Sequence, residues 1–113
     1  MNKISFSKVK LEEKILNGLN SMLRKDISDS RVKFVSVTRV ELNNDFSIAK
    51  VYWDTFDSST RGDAKKAVSG MSGKLRSRLS QSLNIRHTPS LEFFYDSQFE
   101  DELKITELLK NES

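Results

Sequence analysis

Two glycines three apart followed by a lysine, Gly70-Met71-Ser72-Gly73-Lys74, form the most suggestive spacing in the chain. Glycine-rich turns cradle phosphate with backbone N–H groups, but the nucleotide loop GxxxxGK[ST] needs a glycine where Val68 stands and a hydroxyl residue where Leu75 stands. The match fails at both positions. His87, the single histidine, could activate a serine with support from Asp96, yet the chain is rich in serine and no spacing selects one. Glu100, Asp101 and Glu102 are consecutive, so on a helix they point in different directions and do not converge on a cation. Cysteine is absent, which removes both a disulfide framework and a thiolate metal site. These residues point to no enzyme, no metal, no cofactor and no small-molecule substrate.

What remains is charge and where it sits. The 113 residues carry 19 basic and 16 acidic side chains, a net of only +3. Between positions 61 and 86, however, Arg61, Lys65, Lys66, Lys74, Arg76, Arg78 and Arg86 face Asp63 alone, whereas residues 87–113 are net acidic. A charge run is ordinarily a solvated face. Here it coincides with the paired glycines. Glycines remove the Cβ atoms that hold a nucleic-acid backbone away, the following helix offers its N-terminal amides to phosphate, and lysines and arginines add mobile and bidentate donors. The candidate RNA-binding residues are Lys65, Lys66, Gly70, Ser72, Gly73, Lys74, Arg76, Arg78 and Arg86, with Arg31 from an earlier turn. The glycines are expected to permit a sharp junction that aims Lys74, Arg76 and Arg78 outward. On this reading Arg76→Glu or Arg78→Glu weakens binding and leaves folding intact.

The elements that must position these residues follow from periodicity. Leu11, Ile15, Leu19, Met22 and Leu23 recur at helical spacing from about Lys8 to Asp26, with Ser7 as N-cap and Phe6 placed to staple onto Leu11. Residues 31–42 and 45–56 are rich in β-branched side chains and flank Asn43-Asn44, whose tolerance of left-handed backbone marks a hairpin. Alternation is imperfect: Phe34, Val40 and Leu42 share one parity and Val35 and Val37 the other, which predicts a strand covered on both faces. Ala64, Ala67, Val68, Met71, Leu75, Leu79 and Leu83 keep one helical phase across the glycines, so two helices meet at a very short kink. Thr88-Pro89 ends the second helix, and Leu91, Phe93 and Tyr95 mark a third strand. Ser97 and Glu100 form a capping box that predicts a terminal helix over 98–110. The order is αββααβ in one domain spanning 1–113, an α+β fold.

Taken together, the stretches SDSRVKFVSVTRVELNNDFSIAKVYW and SGMSGKLRSRLSQSLNIRHTPSLEFFYD resemble the ribosome-binding factor A family. Its members carry a DPR-like turn, matched by Asp29 and Arg31, before a VTxTxV strand matched by Val37, Thr38 and Val40. A further strand is matched by Asp45, Ala49, Lys50, Val51 and Tyr52, a helix start by Gly73, Arg76 and Leu79, and a closing run by Ile85, Arg86, Pro89, Leu91, Phe93 and Asp96. Two positions depart from the pattern. The family's Ala-x-Gly junction is Met71-Ser72-Gly73 here, with Gly70 restoring a GxxG, and Ser30 stands in place of the usual proline.

The resemblance implies a type II KH-like fold, with a three-stranded mixed sheet covered by helices on one face. It also implies a bacterial assembly factor that binds the free or immature small ribosomal subunit and its rRNA, assists maturation of 16S rRNA near its 5′ end, and leaves before translation. No apolar run approaches the ~20 residues of a membrane span, and the N-terminus lacks the apolar core of a signal peptide. A cytoplasmic monomer without membrane contact is expected. Two rivals stay open: a general single-stranded RNA module, favoured if GMSG is a KH clamp rather than a kink, and a protein-interaction domain using the acidic C-terminal segment.

Overall fold

A computed structural model describes residues 3–85 and 87–96. Its order is α1 (Lys3–Lys25), β1 (Val35–Leu42), β2 (Ile48–Thr55), α2 (Arg61–Gly70), α3 (Ser72–Leu83) and β3 (Ser90–Tyr95), with 3-10 turns at Ser30–Val32 and Ser58–Thr60. This is the expected αββααβ order. The predicted helix over 98–110 lies outside the described residues, as does Arg86.

The sheet runs β1-β2-β3, with β1 antiparallel and β3 parallel to the central β2. On β2 the core side takes Ala49, Val51, Trp53 and Thr55, all buried, while the alternate side chains face away from the helices. Trp53 is 1% exposed and meets the ring of Tyr95 edge-on at 5.1 Å. Helix α1 lays Ile15, Leu19, Met22 and Leu23 on that layer, and α2 and α3 add Ala64, Ala67, Val68, Leu75 and Leu79.

Four expectations are corrected in detail. The change of parity in β1 reflects a β-bulge and not a strand covered on both faces: the register slips between Val37 and Arg39, so Val35, Val37, Val40 and Leu42 all reach the core. The extra residue, Thr38, sends its hydroxyl to a carboxylate oxygen of Asp96 at 2.8 Å. The hairpin exists, but its left-handed residue is Phe46 (φ 63°), held there by packing against the core; Asn43 acts through its side chain, which accepts from the Ile48 N–H and donates to the Ser47 hydroxyl. Helix α1 starts upstream of Ser7, because nothing between Lys3 and Ser7 opposes helix. At the other end, α3 stops before the proline, where Asn84 turns left-handed (φ 52°) and its N–H caps Ser80.

The outer edge of β1 would present unpaired backbone groups to solvent, and α1 covers it with side chains. Asn20 donates to the Val37 carbonyl at 3.0 Å and accepts the Val37 N–H at 2.7 Å, Arg24 donates to the Val35 carbonyl, and Glu12 accepts the Leu42 N–H. Asn20→Ala leaves both Val37 groups unsatisfied beneath the helix. A loss of about 1–3 kcal/mol in unfolding free energy is expected by denaturant titration, and an unchanged midpoint would show that water replaces the amide freely.

Candidate nucleic-acid interface

Helices α2 and α3 form one kinked helix. Only Met71 leaves helical geometry (φ −104°, ψ 12°), and the hydrogen-bond ladder runs across it, from the Met71 N–H to the Ala67 carbonyl and from the Leu75 N–H to the Met71 carbonyl. That keeps Leu75 and Leu79 in the core and Met71 packed against it. The GMSG segment is therefore a kink and not an open loop.

The glycines do not make the bend, contrary to the expectation from sequence. Neither Gly70 nor Gly73 has a positive φ, and a Cβ added at either would meet nothing within 4 Å. Gly18 differs: a Cβ there would come within 3.1 Å of Leu79, so that glycine sets how closely α1 approaches α3. Within the fold, Gly70 and Gly73 only lay bare a strip of helix surface. Gly73 follows Gly70 by three, and Lys66 and Lys74 stand four residues before and after Gly70 along it.

The basic residues divide into two kinds. Lys65, Lys66 and Lys74 are exposed, and among the described residues none has a carboxylate partner. The arginines are engaged. Arg76 donates through Nε and Nη2 to the Thr88 carbonyl at 3.2 and 2.8 Å, and through Nε to the Pro89 carbonyl at 3.2 Å, which fastens α3 to the start of β3. Arg78 lies 3.6 Å from a carboxylate oxygen of Asp26, at the end of α1. Arg31 grips Asp29 with Nε and Nη2, while its backbone N–H is capped by the same carboxylate. Ser72 is half-buried at the start of α3.

Beside Gly73 the surface sinks into an open groove of about 500 Å³, lined by Gly73, Arg76, Ser77, Ser80, Gln81, His87 and Thr88. The Thr88 hydroxyl oxygen is buried at its wall with no hydrogen-bond partner among the described residues. Sequence reading missed Ser77, Gln81, His87 and Thr88 as neighbours of the glycines. Ser77 follows Gly73 by four and was open to discovery from helical spacing, but the return of His87 and Thr88 to this place depends on the crossover into β3. Among the described residues no cluster of His, Asp and Glu could hold a metal. The groove offers hydroxyls, an amide, an imidazole and nearby lysines, which suits a sugar-phosphate chain.

Arg76 thus has a structural role that its place in a basic run hides, and the expectation that Arg76→Glu spares folding is revised. Arg76→Ala is expected to lower stability by about 1–2 kcal/mol, less than a fully buried charged hydrogen bond because the guanidinium is partly solvated. Lys74→Ala should stay within about 0.5 kcal/mol in the same denaturation assay. The Arg31 side-chain hydrogen bond, then its backbone N–H, pull the Asp29 carboxyl from its ordinary 3.8 down to about 2. Since the folded value lies below the unfolded one, this pair stabilises the fold above that ordinary value and stops doing so as pH falls through the depressed one. In an NMR titration Asp29 should show that low midpoint, and Arg31→Gln should return it toward the ordinary range.

Comparison with known proteins adds sequence and structural relatives. A family model described as Ribosome-binding factor A matches residues 7–109. Ribosome-binding factor A of Syntrophomonas wolfei is 36% identical over 104 residues, covering 89% of this chain and 85% of that protein. The crystal structure of ribosome-binding factor A from Thermus thermophilus superposes with a TM-score of 0.70 at 27% identity, covering 78% of this chain and 94% of that one. A Thermus thermophilus ribosome binding factor A homology model, fitted into the cryo-EM map of a complex with the 30S subunit, has a TM-score of 0.64 at 26% identity over 77% of this chain and 92% of that one.

Proposed function

The chain belongs to the ribosome-binding factor A family, and from that premise we propose that it is a non-enzymatic assembly factor of the small ribosomal subunit. It binds the free or immature 30S particle as a cytoplasmic monomer, contacts rRNA through the face of the kinked helix, and assists late maturation of 16S rRNA near the 5′ end. A factor of this kind needs no bond-making chemistry. Binding one rRNA conformation more tightly than another shifts their populations by that difference in affinity.

The observation that carries the reading is the bare strip itself. Each glycine inside a helix costs about 1 kcal/mol relative to alanine. Nothing within the fold requires Gly70 or Gly73, so the close approach they permit is to something outside, and the lysines beside them select a polyanion. Lys65, Lys66, Lys74, Gly70, Ser72 and Gly73 would make the main contact, with the groove residues Ser77 and His87 beside them. The arginines that hold the fold contribute long-range charge. Because the helical ladder crosses the junction, a flexible clamp for arbitrary single strands is the weaker alternative.

Co-sedimentation with free small subunits, whole ribosomes and a generic single-stranded RNA across a salt series tests the reading. Selective binding to free small subunits, weakening as salt rises, is expected; equal binding to any RNA overturns the ribosomal role. Within that assay Lys66→Gln should reduce the slope of log affinity against log salt by about 1. Gly70→Ala and Gly73→Ala should each raise stability by about 0.5–1 kcal/mol while weakening subunit binding. A rise in stability without loss of binding would show that RNA does not approach the strip.

A further inference from the structure

The sheet face turned away from the helices carries aromatic rings that the core does not use. Val35 and Thr55 pair across β1 and β2 with side chains directed into the core, so the next pair outward, Phe34 and Phe56, points the other way. Phe56 is 92% and Phe34 48% exposed. Their ring centroids are 6.2 Å apart, and the Phe56 N–H donates to the Phe34 carbonyl, so the two rings are held side by side by backbone. Farther along the same face Tyr52 and Phe94 sit 5.6 Å apart, with the Arg39 guanidinium 4.0 Å above Tyr52.

A cation stands at the phenylalanine end. The Lys33 ammonium lies 5.6 Å from the centre of the Phe34 ring, and Arg24 reaches round the β1 edge to the Ser36 hydroxyl at 2.8 Å. Of the neighbouring acids, Asp29 is paired with Arg31, while Asp54 and Asp57 keep their charge and accept from the Thr55 N–H and from the Ser59 N–H and hydroxyl. An apolar protein groove closing over the rings would leave Lys33 desolvated and unpaired, whereas the phosphate of a stacked nucleotide pairs with it. The turn that holds Arg31 and leads into Lys33 and Phe34 packs against α2, whose ten residues rise about 15 Å to the glycines.

We propose that Phe34 and Phe56 form a stacking platform for an unpaired base of RNA, with Lys33 on its phosphate. The platform is a second contact, separate from the lysine strip, and rests on the reading of this chain as an rRNA-binding factor. Phe56 supplies the open ring face and Phe34 fixes its position. Stacking tolerates any base, so the platform recognises the exposure of a nucleotide and not its identity. A factor with such a contact favours rRNA in which that nucleotide is not yet paired.

Binding of the full chain to free small ribosomal subunits, measured for wild type, Phe56→Ala, Phe56→Leu and Phe56→Trp, tests this. With so much of the ring in solvent, all three variants should keep the wild-type unfolding midpoint. Loss of one stacked base weakens binding about tenfold; Ala and Leu should both show it, Trp should not, and the salt slope should stay at the wild-type value because no phosphate contact is removed. If Leu binds like wild type, the ring is an apolar contact to protein and the platform is overturned. Wild-type affinity for Ala overturns it too. Should the wild-type chain itself fail to bind free subunits, the assembly-factor reading falls and the platform with it.

Discussion

A three-stranded sheet with one helical layer has both a face and an edge to hide, and α1 answers for both. Its apolar stripe covers the β1–β2 core, while Asn20, Arg24 and Glu12, on the flank of that stripe, occupy the outward backbone groups of β1. An edge left open would invite pairing with another chain. The stripe and the flank must keep the same register against β1, and the bulge at Thr38 is what allows it. Were Thr38 paired in a regular ladder and not bulged out, Val40 and Leu42 would turn to solvent.

The remaining elements hang from this frame through β3. A parallel strand beside β2 can be reached only by a crossover, and α2 and α3 are that crossover. The kink, the glycines and the lysines therefore sit in the middle of a connection pinned at both ends. Toward α1, Gly18 lets Leu79 approach; toward β3, Arg76 holds the Thr88 and Pro89 carbonyls. The surface proposed to meet RNA is consequently stiff, and its shape is set by packing. Stiffness suits a particle-binding factor, since little ordering is left to be done on association.

Much of this was legible in the sequence because its cause is periodic. The unbroken phase of Val68, Leu75 and Leu79 across the glycines predicted a kink in place of a loop, and the ladder through Met71 shows why: one displaced residue preserves the helical register. Features with non-local causes were not legible. The bulge looks like failed alternation until the β2 partner is known. Phe46 occupies a conformation that its type disfavours, because core packing outweighs the backbone cost. Arg76 reads as one more cation until the chain returns beside it. The glycines invited an account in terms of bending, when the fold around them needs no glycine at all.

The division of labour between arginine and lysine carries the same lesson into function. Every arginine among the described residues has a partner: Arg24 on a carbonyl, Arg31 on Asp29, Arg39 on Tyr52, Arg61 on Tyr95, Arg76 on two carbonyls and Arg78 near Asp26. A planar fork with fixed donors suits such jobs. Lys65, Lys66 and Lys74 have the opposite character, compact charges on flexible stems. Phosphate contacts of that kind hold through counterion release, fall away steeply with salt and impose no single geometry. The assembly factor proposed above must bind one state of its particle and then leave. On that reading the rigid cations serve the fold and the mobile ones the partner, which gives a surface whose shape is fixed while its grip stays reversible.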